Sequence, residues 1–375
     1  MSSAARPRTS FATASSRWAG IGPYYAMFPT HFADEVIETY TVEGDRVLDP
    51  FAGRASSLFS ASVRGRKSVG MEINPVGWVY GQTKLEPAPR EAVEAKVVEL
   101  ATEARASKED LAEDLPPFFR HCFTGTVLRF LDTVRRRLDW KHNRIDRTTM
   151  MFILVYLHGK RSASLSNQMR QSKAMSPDYS VRWWEERGLT PPDIDPESFL
   201  LKRIRWRYAK GVPRTSPSRL SRGDACDLMD EVVREVISGE EQPFKLLFTS
   251  PPYYGLTNYY YDQWLRLWML GGPSLPQRSE GAYEKKFESK PLYENLLRNV
   301  FGKAASVMDS EGHVYVRTDA RKFTLDATMR VLQEEFCDWE IETTHQPFAR
   351  DTQTALFGDR SRKPGETDIV LTNPR

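Results

Sequence analysis

Arg46-Val47-Leu48-Asp49-Pro50-Phe51-Ala52-Gly53, continuing into Arg54-Ala55-Ser56-Ser57-Leu58, is the stretch on which the fold of this 375-residue chain turns. Arg46-Val47-Leu48 is a short apolar segment of the kind that forms a buried parallel strand, and Asp49-Pro50 stops it, because proline has no donor for a sheet ladder. Gly53 can adopt backbone angles that other residues avoid and lets a ligand approach the main chain. Ser56-Ser57 are candidate caps for a helix continuing through Ala61. Ser68-Val69-Gly70-Met71-Glu72 then reads as a second strand, ending in an acid 19 residues beyond Gly53. That spacing suits a carboxylate accepting hydrogen bonds from ribose hydroxyls. The order strand, glycine turn, helix, strand predicts an α/β sheet.

A second signal lies far along the chain, where the mostly apolar run Phe244 to Phe248 ends in Ser250-Pro251-Pro252-Tyr253. Two consecutive prolines cannot sit inside a central strand. They force a rigid, extended exit at the edge of the sheet where open α/β folds place their ligands. Their carbonyls are acceptors held in a fixed direction.

With both signals, the chain resembles the amino-group DNA methyltransferases that use S-adenosylmethionine to make N4-methylcytosine or N6-methyladenine. That family opens with a cofactor segment similar to Gly22-Pro23-Tyr24-Tyr25-Ala26-Met27-Phe28-Pro29-Thr30, then a helix, here expected from Ala33 to Tyr40, then the Asp-Pro-Phe-x-Gly turn. The resemblance implies cofactor contacts from Tyr24, Phe28, Pro29, Thr30, Asp49, Phe51 and Gly53. It puts the ribose acid on Glu72 and the adenine-facing strand end on Asp224-Ala225. In one place the chain departs from the pattern: a glycine usually stands where Ala55 does, and a positive φ there would strain the turn.

The implied chemistry needs few side chains. An exocyclic amine is a poor nucleophile because its lone pair is delocalised into the ring, so the site must turn that lone pair toward the sulfonium methyl. By resemblance, Ser250 and the Pro251 carbonyl hold the amine, Pro252 stiffens the loop, and Tyr253 stacks on the extruded base. Serine at the first tetrapeptide position is commoner in the family's cytosine members, which favours N4-cytosine over N6-adenine. Methylation at cytosine carbon-5 would need a cysteine nucleophile, typically after proline, and none of Cys122, Cys226 and Cys337 follows one. Three thiols without paired spacing also argue against a disulfide framework or a metal site and fit a reducing, cytoplasmic compartment.

At 40% hydrophobic content the chain can bury one large sheet core and a second, smaller unit. Its longest apolar stretch, Met150 to Leu157, is far too short to span a bilayer. Met1 to Arg17 lacks a secretory hydrophobic core and reads as disordered. Strands are expected near 46–50, 67–73, 218–223, 244–250, 312–318, 339–347 and 367–372. Seven is the number in the Rossmann-like methyltransferase sheet, with its terminal antiparallel hairpin. The chain then divides into 1–87 and 216–375, the two parts of the core, and 88–215, a mostly helical basic insertion. Within the insertion, helices are expected over Arg90 to Asp110, Val127 to Leu138 and Thr148 to Leu157.

Charge separates between these parts. His121 to Gly223 holds 21 Lys and Arg against 9 Asp and Glu, about +12 in a chain whose net charge is +3. A phosphate-binding module on an acidic core would produce this pattern; so would a set of merely solvated basic helices. Lys160, Arg161, Gln168, Arg170 and Lys173 mix cations and an amide suited to phosphates and base edges, and are proposed to read double-stranded DNA. A polar loop covering the cofactor cleft is the competing account. Tyr259-Tyr260-Tyr261 and Asp351 to Thr354 are further candidates for contact with bases, whereas Trp264, Leu267 and Trp268 share a helical face suited to core packing. Rival functions are an RNA guanine-N2 methyltransferase, whose relatives usually carry an RNA-binding domain ahead of the cofactor segment, and a catalytically silent DNA-binding subunit. A cognate restriction endonuclease is a candidate partner; the oligomeric state is not legible.

Overall fold

The computed structural model describes residues 11–23, 28–107, 115–255, 259–277, 289–346 and 365–374. Seven strands form one sheet: β1 Arg46–Asp49, β2 Lys67–Glu72, β3 Ser218–Arg222, β4 Phe244–Thr249, β5 Met308–Asp319, β6 Glu340–Gln346 and β7 Glu366–Thr372. Their order is β3-β2-β1-β4-β5-β7-β6, and β7 runs antiparallel between β5 and β6. The chain therefore has the α/β, Rossmann-like sheet with a terminal antiparallel hairpin. β1 pairs in parallel with both β2 and β4, so the direction of strand succession reverses between β1 and β4. At such a switch point the connections leave on opposite faces and open a crevice at the carboxyl ends of the strands.

Helices α1 Ala14–Ala19, α2 Thr30–Tyr40, α3 Ser56–Val63 and α4 Pro75–Leu85 accompany the first two strands. Between β2 and β3 come α5 Arg90–Ala106, α6 Phe118–Cys122, α7 Gly125–Arg137, α8 Arg144–Tyr156, α9 Pro177–Glu185 and α10 Pro196–Tyr208. The remainder are α11 Ala225–Ile237, α12 Tyr259–Asp262, α13 Trp264–Met269, α14 Lys290–Ala305 and α15 Lys322–Glu335. The segment between β2 and β3 is built of helices, and it does not have a core of its own. One apolar cluster runs from Trp18 and Ala55 through Trp78 and the insertion's Phe118, Leu131 and Phe152 to Trp264 and Trp268. A second cluster lies under α11, α14 and α15, with Leu48, Leu247 and Val314 of the sheet.

The expected disorder of Met1 to Arg17 is corrected in its second half. α1 begins at a Thr13 capping box, and Arg17 donates from Nε to the Phe11 carbonyl (2.9 Å) while its guanidinium lies over Trp206 on α10. Residues 1–10 lie outside the described residues. Among the described residues no helix is long and apolar enough to cross a membrane.

Candidate active site

Asp49 ends β1 at 1% exposure, where a bare carboxylate would be costly without donors. Three are supplied. Thr249 Oγ1, at the end of β4, donates to Oδ1 at 2.6 Å, the Phe51 amide donates to the same oxygen at 3.1 Å, and the Ser57 hydroxyl donates to Oδ2. Burial still pushes its pKa up to about 6. Ser57 therefore braces the turn and does not cap α3. The helix is entered instead through Ala55, which has φ 57° and ψ 48° and makes no side-chain cap bond. Among the described residues Ala55 is the one non-glycine with positive φ. Its methyl fits because α4 passes it with Gly81: a Cβ there would lie 2.9 Å from the Ala55 Cβ and 2.4 Å from Leu220. Gly53 takes φ 54°, the left-handed angle for which a glycine was expected.

Arg54, between these two residues, turns inward. Its Nη1 donates to the carbonyls of Ile21 (2.9 Å) and Gly22 (3.0 Å), tying the segment before α2 to the turn. The Arg54 carbonyl in turn accepts from Lys84 Nζ at 2.7 Å. Lys84 is fully buried on α4, and burial beside Arg54 and Arg207 pulls its pKa well down.

The other expected cofactor residues fall at neighbouring strand ends. Glu72, 8% exposed at the end of β2, accepts from the Asn74 amide at 2.7 Å. Asp224, just after β3, caps α11 by accepting from the Cys226 amide at 2.9 Å, and Ala225 opens that helix. Phe51 is half-buried against the second apolar cluster. Phe28 is buried and stacks on Phe248 of β4 at 4.6 Å, so its ring serves the core; Pro29 precedes α2 and is exposed, and Thr30 is its first residue. Tyr24 lies outside the described residues, as do Asp351 to Thr354.

Ser250 to Tyr253 leave β4 one residue after Thr249, so the hydrogen bond from Thr249 to Asp49 spans the switch point and sets the tetrapeptide beside the glycine turn. Pro251 is buried; Ser250, Pro252 and Tyr253 are partly exposed. The Tyr253 hydroxyl donates to Glu366 Oε1 of β7 at 3.0 Å, a tether that the sequence did not suggest. Tyr254 packs on Tyr293 and Phe323, and its carbonyl accepts from Arg321 at 3.0 Å. Downstream, α13 is buried almost all round, with Trp264 and Trp268 in the core as their spacing implied.

The five proposed DNA-reading residues do not stay together. Lys160, Arg161 and Gln168 line one cavity of about 670 Å³. Lys173 instead ion-pairs with the buried Asp262, so its charge is balanced within the protein. Arg170 is half-buried, and its carbonyl accepts from Nδ1 of the fully buried His158 at 2.8 Å. The residues that sequence reading missed are Thr249, Ser57, Arg54, Lys84 and Glu366. A buried acid at a strand end demands hydroxyl donors nearby, and that demand pointed to the first two.

Comparison with known proteins bears out the family resemblance at the amino-terminal end. Residues 6–76 match the model of a DNA methylase family, N6_N4_Mtase. The type II methyltransferase M.MthZI of Methanothermobacter thermautotrophicus is 39% identical over 49 residues, 13% of this chain and 14% of that protein. The type II methyltransferase M.MjaII of Methanocaldococcus jannaschii is 22% identical over 95 residues, 25% of this chain and 18% of that protein. The matched segments thus span less than a fifth of these relatives. An rRNA methyltransferase, aviRa, from Streptomyces viridochromogenes aligns over 96% of this chain and 92% of its own at 12% identity with a TM-score of 0.35, too loose to carry an argument about substrate. The cofactor that goes with the family is S-adenosylmethionine, and the residues present fit it. The Ser56 hydroxyl after the glycine turn and the Asn74 amide beside Glu72 are buried polar groups with no partner among the described residues, following β1 and β2 where a polar ligand would supply one.

Proposed function

We propose that this chain is a site-specific DNA methyltransferase that moves a methyl group from S-adenosylmethionine to the exocyclic N4 amine of a cytosine flipped out of the duplex. The observation that carries this reading is the 2.6 Å hydrogen bond from Thr249 to Asp49, which places the glycine turn and the Ser-Pro-Pro-Tyr loop side by side across the switch point. When bound, the cofactor supplies an electrophilic methyl on a positively charged sulfur. Glu72 would accept from the ribose hydroxyls, Asp224 would face the adenine amine, and the turn at Gly53 would let the ligand lie against the main chain. Ser250 and the Pro251 carbonyl would accept from the target amine and aim its lone pair at the methyl group the cofactor would supply, and the amine would give up a proton as it gains the methyl. Pro252 limits the loop's freedom. The tether from Tyr253 to Glu366 restricts the ring's rotamers, which suits a platform for an extruded base. The basic insertion supplies the DNA surface, and a cognate restriction endonuclease is the candidate partner.

The preference for cytosine rests on Ser250, and adenine N6 would use the same geometry. The test is incubation with methyl-labelled S-adenosylmethionine and mixed-sequence DNA or RNA, digestion, and identification of the labelled nucleoside by mass spectrometry. N4-methyldeoxycytidine is expected; N6-methyldeoxyadenosine would change the base and keep the mechanism. Label in RNA alone, or none despite bound cofactor, would overturn the reading. Pro252→Ala and Tyr253→Ala should abolish turnover while largely sparing cofactor affinity.

A further inference from the structure

The cavity of about 670 Å³ on the insertion lies between the loop after α8, the connection that leads into α10, and α10 itself. Its volume is within the range of small-molecule sites. Lys160, Arg161, Lys202 and Arg203 line it, against one acid, Asp195. Asp195 is already engaged, capping α10 by accepting from the Ser198 amide at 2.9 Å. Lys160 and Lys202 are exposed and have no ion-pair partner among the described residues. The cavity is therefore a concentration of unneutralised positive charge with a concave shape.

Its wall is not uniformly polar. Phe199 lies in it with the Arg203 guanidinium over the ring at 3.5 Å from the centroid and 5.2 Å from that of Tyr156, and the Arg203 Nε is buried without a hydrogen-bond partner among the described residues. A guanidinium gathered with aromatic rings offers a stacking surface for a heteroaromatic base, and the lysines beside it match a phosphate. Gln168 adds an amide whose oxygen accepts from the Arg161 amide at 3.0 Å, leaving its nitrogen as a donor.

We propose that this cavity binds a nucleoside phosphate, with Lys160 and Lys202 on the phosphate and the Phe199–Arg203 stack against the base. The inference rests on the nucleic-acid reading of the insertion but not on methyl transfer, which the labelled-nucleoside assay decides separately. The phosphate can come from a nucleic-acid strand or from a free nucleotide, and two arms of one experiment separate these sources.

Calorimetric titrations with ADP and with inorganic pyrophosphate form the first arm. Binding of a fluorescent DNA oligonucleotide across a salt series forms the second. Each is run on the full chain, on Lys160→Met with Lys202→Met, on Phe199→Leu, and on Lys67→Met, an exposed lysine at the amino end of β2, away from the strand ends that form the site. The double variant should weaken binding about tenfold or more and lower the salt slope by about one per lysine. Phe199→Leu should weaken ADP but not pyrophosphate, and Lys67→Met should change neither. Effects in the oligonucleotide arm alone assign the site to a strand phosphate; effects in both arms show that it takes free nucleotides too. The proposal is overturned if the double variant and Lys67→Met behave alike, if Phe199→Leu leaves both arms unchanged, or if an acidic peptide binds to these lysines while no nucleotide does.

Discussion

Arg54, Lys84 and Arg266 are buried on the insertion side of the sheet, and Arg317 is buried at the hairpin side, yet the two sets are satisfied by different chemistry. On the insertion side the partners among the described residues are neutral oxygens: Arg54 donates to Ile21 and Gly22, Lys84 to Arg54, and Arg266 to the carbonyls of Leu154 (2.9 Å) and Gln171 (2.6 Å) and to the Gln263 amide oxygen (2.7 Å). At the hairpin, Arg317 makes a two-pronged pair with its cross-strand neighbour Asp368 at 2.6 and 2.7 Å, under the Phe32 ring. Carbonyls satisfy a cation's donors without cancelling its charge; a carboxylate does both. The insertion side thus keeps the charge of Arg54 and Arg266 inside in addition to the positive charge outside, which extends its field toward a polyanion, while at the hairpin the Arg317 charge is met by a carboxylate.

Four measurements test this contrast, beginning with the largest effect. Arg317→Met should destabilise the fold by about 3–5 kcal/mol in denaturant unfolding, because it strands the buried Asp368, and adding Asp368→Leu should recover most of that loss. Asp49 comes next. Its folded pKa of about 6 lies above the ordinary aspartate value, so between those two pH values the folded chain binds more protons than the unfolded chain, and stability falls as pH rises through that window. The fall should amount to about 3 kcal/mol and be absent from Asp49→Asn when both are unfolded across that range. Lys84→Met should cost only about 1–2 kcal/mol, since it removes one hydrogen bond and no charge pair. Lys84 holds its proton more weakly in the folded state, so native stability should rise with pH toward the ordinary lysine value, and the variant should flatten that rise. Equal costs for Arg317→Met and Lys84→Met would break the comparison. The smallest effect belongs to Ala55→Gly, expected to gain about 0.5–1 kcal/mol as left-handed strain is relieved against glycine's greater unfolded entropy. A loss there would mean that the methyl packed against Gly81 contributes more than its backbone costs.

All seven strands were legible: buried runs bounded by proline, glycine or acids mark β1, β2, β4 and β7, whereas the polar β3 and the exposed β6 were placed by the family's strand count and terminal hairpin. The position of the candidate residues was legible too: Gly53, Glu72, Asp224 and Ser250 each stand at or soon after a strand's end. What the sequence concealed depends on partners distant along the chain. Ser57 looks like a cap until Asp49 is found beside it. Phe28 looks like a ligand residue until Phe248 stacks on it. Lys84 and Arg54 look like ordinary surface cations, since nothing in the local sequence shows which carbonyls will receive them. The insertion's charge was readable as a sum, but not its division into Lys173, neutralised by Asp262, and Lys160 and Arg161, gathered around a cavity.

The position of β7 has a consequence for how the molecule is made. It is the last strand in the chain but lies inside the sheet, between β5 and β6, so β6 has no neighbour until β7 has been synthesised. During translation the glycine turn, its acid brace and the proline loop can all assemble on β3-β2-β1-β4-β5 while Tyr253 still lacks Glu366 and Arg317 lacks Asp368. A nascent chain can therefore assemble the glycine turn before the Tyr253 hydroxyl is tethered. The two late contacts wait on residues 320–368, which include α15 and β6 as well as the start of β7.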